Sequence, residues 1–260
     1  MIRGIVTIGF VACSMLAQAQ SLEKFTFGLQ FAPGSTFARI TDDDATPSSK
    51  SLSSDGYTTI EENGLKGINV KLMVNYELSN KFDFSSGLYF GERRMNVRND
   101  DGNYTGTSVY HTNYISLPLL LKYKGKELKD NLFFVASLGP TIDLLTGEEA
   151  QGADYAHFMN FAQNRFDIDG QRGRNGSSKS MNLFAKTGIS ILGSAGLEYK
   201  INDRFKACFG LSYQQGVTNM LNGKLLFNDA NKTPIRETTK WTTSLLAVDF
   251  GVIFHLNDLK

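Results

Sequence analysis

The chain has 260 residues with 27 Lys and Arg against 26 Asp and Glu, a net charge of +1, and is rich in Gly (25), Phe (19) and Tyr (10) beside five Pro and one Trp. Such a balance offers no electrostatic footprint for nucleic acid, and that partner class is set aside. The two cysteines are Cys13 and Cys208, so a chain cut after residue 19 keeps one thiol and has no internal disulfide.

The N-terminus reads Met1-Ile2-Arg3, then an apolar run from Ile5 to Ala12, then Ala17 and Ala19 before Gln20. A basic start, a short apolar core and small residues ahead of a cut predict a signal peptide over 1–19 and a mature domain over 20–260. Cys13 offers a lipoprotein alternative, but only twelve residues precede it and Phe10-Val11-Ala12 matches a lipid-attachment box poorly. No mature segment approaches the roughly 18 continuous apolar residues of a membrane helix. A membrane could be crossed only by strands.

The chain alternates with a period of two, which places one residue set on each face of a strand. In the first predicted strand Phe25, Phe27, Leu29 and Phe31 stand opposite Thr26, Gly28 and Gln30; in the second, Ile68, Val70, Leu72, Val74 and Tyr76 oppose Asn69, Lys71, Asn75 and Glu77. Further strands are predicted from Phe82 to Arg93, Val109 to Tyr123, Leu132 to Leu144, Phe184 to Tyr199 and Phe205 to Tyr213. The last sets Leu246, Val248, Phe250, Val252, Phe254 and Leu256 against Ala247, Asp249, Gly251 and His255. About eight strands predict an all-β fold, a transmembrane up-and-down antiparallel β-barrel of the smallest even size.

The predicted connections alternate in length. Short ones fall at Ser79-Asn80-Lys81, Gly125 to Asn131 and Asn202-Asp203-Arg204; long polar ones span Arg39 to Gly64, Asn96 to Ser108, Thr146 to Asn182 and Gln214 to Thr243. With the N-terminus in the periplasm, every long loop lies outside the cell, the asymmetry expected of bacterial barrels. Pro118 within a strand removes a ladder donor and predicts a bulge there. Small residues from Gly188 to Gly196 relieve crowding in a narrow barrel.

A soluble sandwich would also alternate, but it exposes its polar face to water, whereas a small barrel encloses that face and must pair its charges. The polar faces here carry Lys71, Glu77, Asp83, Arg93, Lys122, Lys186, Glu198, Lys206 and Asp249, a mixture of both signs. These nine are the expected lumen charge network.

Tyr114-Ile115-Ser116-Leu117-Pro118-Leu119-Leu120-Leu121-Lys122-Tyr123 resembles the aromatic, Pro-Leu-Leu-Lys-Tyr strand of the PorT-type outer-membrane β-barrel proteins of Bacteroidota. Gly139-Pro140 with Leu144-Leu145 is similar to that family's next strand, and Gly196 to Tyr199, Asp203 to Phe205 and Tyr213 to Asn219 are similar to its closing hairpin. The resemblance spans essentially the whole mature chain and rests on strand patterns. It implies an outer-membrane barrel and, through PorT itself, a link to assembly of the type IX secretion system. It implies no catalytic residue.

Three histidines bear on an alternative, an enzyme acting on outer-membrane lipid: His255 at the periplasmic end of the last strand, His157 in a loop, and His111 at the outer rim with Ser108 nearby. His111 shares its parity with Ile115 and Leu117 and is expected to face lipid or the rim. The acidic residues Asp42 to Asp44, Glu61 and Glu62, and Asp167-Ile168-Asp169-Gly170, offer oxygen ligands without completing a calcium loop. No Walker-type phosphate loop or close cysteine pair is present, so no cofactor, metal or catalytic residue is expected. With four residues after Leu256, no periplasmic domain is expected either. The expected partners are outer-membrane lipid and secretion or envelope assembly proteins. A structural, envelope or secretion-assembly role is the leading expectation, a small-solute porin-like channel the second, and a lipid A-modifying enzyme the third.

Overall fold

The computed structural model describes residues 24–41, 57–59, 65–100, 105–152, 156–160, 165–167, 177–179, 184–220, 223–228, 234–238 and 240–255. The predicted signal peptide, Leu256 and the acidic residues Asp42 to Asp44, Glu61 and Glu62 lie outside these. So do Ile168, Asp169 and Gly170, while Asp167 ends a three-residue strand.

Eight strands form the barrel: β1 (Phe25–Thr41), β2 (Leu65–Ser79), β3 (Phe82–Asp100), β4 (Thr105–Lys129), β5 (Leu132–Gly152), β6 (Thr187–Lys200), β7 (Phe205–Gly216) and β8 (Lys240–His255). Each pairs antiparallel with its sequence neighbours, and β1 pairs with β8 from Thr26↔His255 to Thr41↔Lys240, closing the sheet. Closure leaves no free edge along the wall.

Alternation dictates direction throughout. Leu29, Leu72 and Leu88 share one register line and point outward; Gln30, Lys71 and Tyr89 share the next and point inward. The outer face carries exposed Phe31, Leu72, Leu121, Leu138, Ile191, Phe209 and Phe250, the surface acyl chains require. Its edge nearest the short turns is aromatic, with Phe82 against Tyr123 at 5.5 Å between ring centroids and Phe27 against Phe254 at 5.5 Å.

The short turns are tied by backbone hydrogen bonds across neighbouring hairpins. Lys124 N donates to Lys81 O at 2.7 Å, Lys200 N to Asn131 O at 2.8 Å, and His255 N to Arg204 O at 2.9 Å. Asn131 adopts φ 65°, the left-handed conformation that asparagine tolerates in a tight turn. The turn expected over Gly125 to Asn131 is shorter: β4 continues to Lys129 through register shifts at Lys124/Glu127 and Glu127/Lys129, because an antiparallel pair can extend past the membrane without an apolar face.

The same reason shortens the expected outer loops. β3 and β4 pair as far as Asp100↔Thr105, and β5 runs to Gly152. A separate four-stranded sheet joins Ala156–Asn160 and Arg165–Asp167 to Gly223–Asn228 and Pro234–Thr238, so segments expected as two unrelated loops pair with each other. His157 thus lies in a strand.

Pro118 does not produce the expected bulge. Its register is unchanged on both sides, with Ser86↔Leu119 and Tyr89↔Ser116 on β3 and Leu117↔Ile142 and Leu121↔Leu138 on β5. The missing donor faces β3, where the Ser86 hydroxyl donates to the Pro118 carbonyl at 2.8 Å. The opposite chain adapts at Gly87, which takes φ 153° and passes so close to β2 that a Cβ would lie 1.9 Å from the Leu72 carbonyl oxygen. A bulge does occur five residues earlier, between Asn113 and Tyr114.

Candidate functional site

The inward face forms layers of ion pairs stacked along the barrel axis. Nearest the outer mouth, Arg93 of β3 donates to Asp143 of β5 at 3.0 Å and to the Thr243 hydroxyl at 3.2 Å, with its guanidinium over the Tyr114 ring. Asp143 also accepts from Ser116 at 2.5 Å, from Gln214 at 3.0 Å and from Ser190. A carboxylate that is 2% exposed is tolerable only with such a full set of donors.

The middle layer joins Lys71 of β2 to Asp249 of β8 at 2.6 Å, with the Ser212 hydroxyl donating to the same carboxylate at 3.1 Å. The Lys71 ammonium sits 5.3 Å from the Tyr89 ring centroid, and Tyr89 packs with Met73, Leu120 and Leu192 as an apolar cluster inside the barrel. Toward the periplasm, Lys122 pairs with Glu198, which Lys206 approaches at 3.9 Å. At the periplasmic mouth Lys124 holds Asp83 at 2.9 Å and reaches Glu77 at 3.7 Å.

Between these layers the described residues enclose small voids, about 60 Å³ beside Lys71, Lys122 and Glu198 and about 20 Å³ between Lys71 and Arg93. Each can hold ordered water, but the polar side chains between them span the lumen. Phe184 and Met220 are both buried, with the Thr243 hydroxyl 2.9 Å from the Met220 sulfur.

Of the nine residues expected in the network, Lys71, Asp83, Arg93, Lys122, Glu198, Lys206 and Asp249 take part in these pairs, with Glu77 at their half-exposed margin. Lys186 does not belong. It stands exposed ahead of β6, whose ladder starts at Thr187 rather than at the expected Phe184. Two members were missed, Asp143 and Lys124. Their parity was readable, since Asp143 continues the inward series of Gly139 and Thr141, and Lys124 follows Lys122 by two.

The outer face has one polar cluster at the rim. Glu92 of β3 accepts from Arg94 at 2.8 Å, and its other oxygen lies 2.8 Å from His111 Nδ1 on β4. His111 thus faces outward, on the parity of Ile115. The side chain of Ser108 lies outside the described residues. Among the described residues no group of three or more His, Cys, Asp or Glu converges as a metal site.

The sequence matches the model of the outer membrane protein beta-barrel domain family over residues 17–222. The chain belongs to this family. Membership of an outer-membrane barrel family assigns it to the bacterial outer membrane, and β8, which seals the barrel, lies beyond the matched segment. Among solved structures it is similar to the attachment invasion locus protein Ail of Yersinia pestis in complex with the heparin analogue sucrose octasulfate, at 11% identity and a TM-score of 0.38, covering 89% of this chain and 99% of that one. Neisserial surface protein A matches at 12% identity and a TM-score of 0.38, covering 88% and 97% of the two chains. The N-terminal β-barrel domain of Pseudomonas aeruginosa OprF matches at 13% identity and a TM-score of 0.33, covering 88% and 98%. No curated protein matches the chain.

Proposed function

We propose that this protein is a non-enzymatic, plugged outer-membrane barrel that serves envelope or secretion-system assembly through contacts made at its ends. The observation behind this reading is the cross-braced lumen: the Arg93–Asp143, Lys71–Asp249 and Lys122–Glu198 pairs fill an interior that eight strands make only wide enough for side chains. A barrel without a through-path acts by what it holds outside the bilayer. The PorT-like strand from Tyr114 to Tyr123 supports secretion assembly as the process served.

The test pairs two measurements on the full chain. In a planar bilayer the purified protein gives no discrete conductance, and a tagged copy recovered from isolated outer membranes in mild detergent carries a stoichiometric envelope or secretion component. Single-channel steps abolished by Lys71→Met would replace this reading with a small-solute channel. Recovery alone from the membrane, with secretion and envelope integrity unchanged in its absence, would remove the assembly role.

The His111–Glu92 contact favours a second reading, an enzyme acting on lipid, because a carboxylate that orients an imidazole is one element of nucleophilic catalysis. Altered lipid A in a strain overproducing the protein, lost on His111→Gln, would establish it. Unchanged lipid A removes it.

A further inference from the structure

The ladder between β6 and β7 ends at Ser190↔Gly216, and past that rung the two chains are held by other bonds. Val217 N donates to Ile189 O at 2.8 Å, Ile189 N to the Thr218 hydroxyl at 2.9 Å, and Ala185 N to Met220 O at 2.7 Å. On the β5 side Leu145 N donates to Lys186 O at 2.9 Å, and Phe184 N to the Glu148 carboxylate at 3.1 Å. Residues 184–186 and 217–220 are thereby bound to each other as a strap. Two glycines let it lie close to the wall. A Cβ on Gly188 would stand 3.2 Å from the Thr218 hydroxyl, and one on Gly216 only 2.9 Å from the Thr243 carbonyl oxygen.

The strap rests on the uppermost ion pair of the lumen. A void of about 10 Å³ is lined by Arg93, Tyr114 and Asp143 together with Ala185, Thr218 and Met220. One hydroxyl joins the two sets: that of Thr243, a buried residue, accepts from Arg93 at 3.2 Å and donates to Met220 Sδ at 2.9 Å. Arg93 in turn holds Asp143 at 3.0 Å. From Asp143 through Arg93, Thr243 and Met220 to Ala185 the polar contacts are unbroken. In a buried series of this kind each bond polarises the next, and removing one member leaves its neighbours short of a partner. The strap is also the root of the outer sheet, since Met220 stands three residues ahead of the strand Gly223–Asn228, which pairs with Ala156–Asn160.

We propose that this strap is a coupling device that ties the four-stranded outer sheet to the Arg93–Asp143 pair, so that displacing the sheet is felt at the pair and losing the pair frees the strap. Such coupling is reciprocal. Its purpose rests on the proposed contacts at the ends of the barrel, whereas the coupling itself is a property of the chain alone.

The test is residue-resolved hydrogen exchange by NMR on the full chain in lipid nanodiscs, without any partner, with folding checked by heat-dependent gel mobility. The Ala185 and Leu145 amides are protected in the wild type. Thr243→Val, which keeps the bulk and removes the shared hydroxyl, speeds their exchange about tenfold, the scale of one buried hydrogen bond. Met220→Leu, which removes only the sulfur acceptor, speeds it less. Ser212→Ala, which removes a hydroxyl from the middle layer away from the strap, leaves both amides unchanged. In the reverse direction Ala185→Pro deletes the donor to Met220 O and speeds exchange of the Arg93 guanidinium protons by a similar factor. An Ala185 amide indifferent to Thr243→Val, an equal rise in Ser212→Ala, or Arg93 protons indifferent to Ala185→Pro would overturn the coupling. None of these outcomes bears on which partner is recovered from the membrane, so the proposed function stands or falls separately.

Discussion

Arg93 and Arg94 are neighbours in sequence and live in different solvents. Arg93 points into the lumen, 5% exposed, and is held by Asp143, Thr243 and the face of Tyr114. Arg94 points outward at the rim, paired among the described residues with Glu92 and half open to its surroundings. One step along a strand turns the same side chain from a structural cross-brace into an available donor. The period of two assigns each arginine its dielectric, and the dielectric decides how many partners it needs.

If burial is what separates the two faces, cutting a lumen pair should cost far more than altering a margin. Asp143→Ala leaves Arg93 buried without its counter-charge and strips an acceptor from Ser116, Ser190 and Gln214. A loss of about 4 kcal/mol is expected, read as a lower urea midpoint for unfolding from lipid vesicles. A loss below about 1 kcal/mol would erase the contrast, because that is the scale of exposed pairs.

The middle layer separates the value of a pair from the penalty of breaking it. Lys71→Met strands Asp249 and is expected to cost about 3 kcal/mol, whereas Lys71→Met with Asp249→Leu returns to within about 1 kcal/mol of the wild type. A double variant as unstable as the single one would mean that Lys71 contributes through its contact with Tyr89 rather than through charge balance.

At the periplasmic mouth the contrast fades. Glu77 is 44% exposed and 3.7 Å from Lys124, so Glu77→Gln should change the unfolding free energy by less than about 0.5 kcal/mol in the same assay. Smallest of all is the turn residue Asp203, whose carboxyl the Lys200 ammonium holds below the ordinary aspartate range by a hydrogen bond. Any stability it adds is present above that range and is lost as pH falls through the lowered value. Carbon-detected NMR of that carboxylate should find the lowered midpoint, and Lys200→Gln should restore it.

Direction was far more legible than meeting. Alternation alone sends Lys71, Arg93, Lys122 and Asp249 inward and places His111 outside, because side-chain parity is a local property of one strand. Which lumen charge meets which is set by the stagger between strands distant in sequence. Hence parity could send both Arg93 and Asp143 into the lumen, but nothing local says that they meet. Lys186 failed for a related reason: parity continues past the end of a ladder, and nothing local marks where β6 begins to pair. At Pro118 the local rule was sound, but the defect is absorbed by Gly87 and Ser86 on the adjoining strand. The rim cluster was only one-third readable, since Glu92 and Arg94 belong to β3 and His111 to β4.

The seam between β1 and β8 unites residues from opposite ends of the described chain. Every other wall contact joins consecutive strands, so a nascent polypeptide could form seven-eighths of the cylinder and still be an open sheet with two unpaired, largely apolar rims. Such an intermediate is adhesive toward any strand it meets. Completion therefore waits on the final sixteen-residue strand. Joining the two ends is also the wall contact of greatest sequence separation, the kind whose loop-closure cost must be met before the contact rewards it.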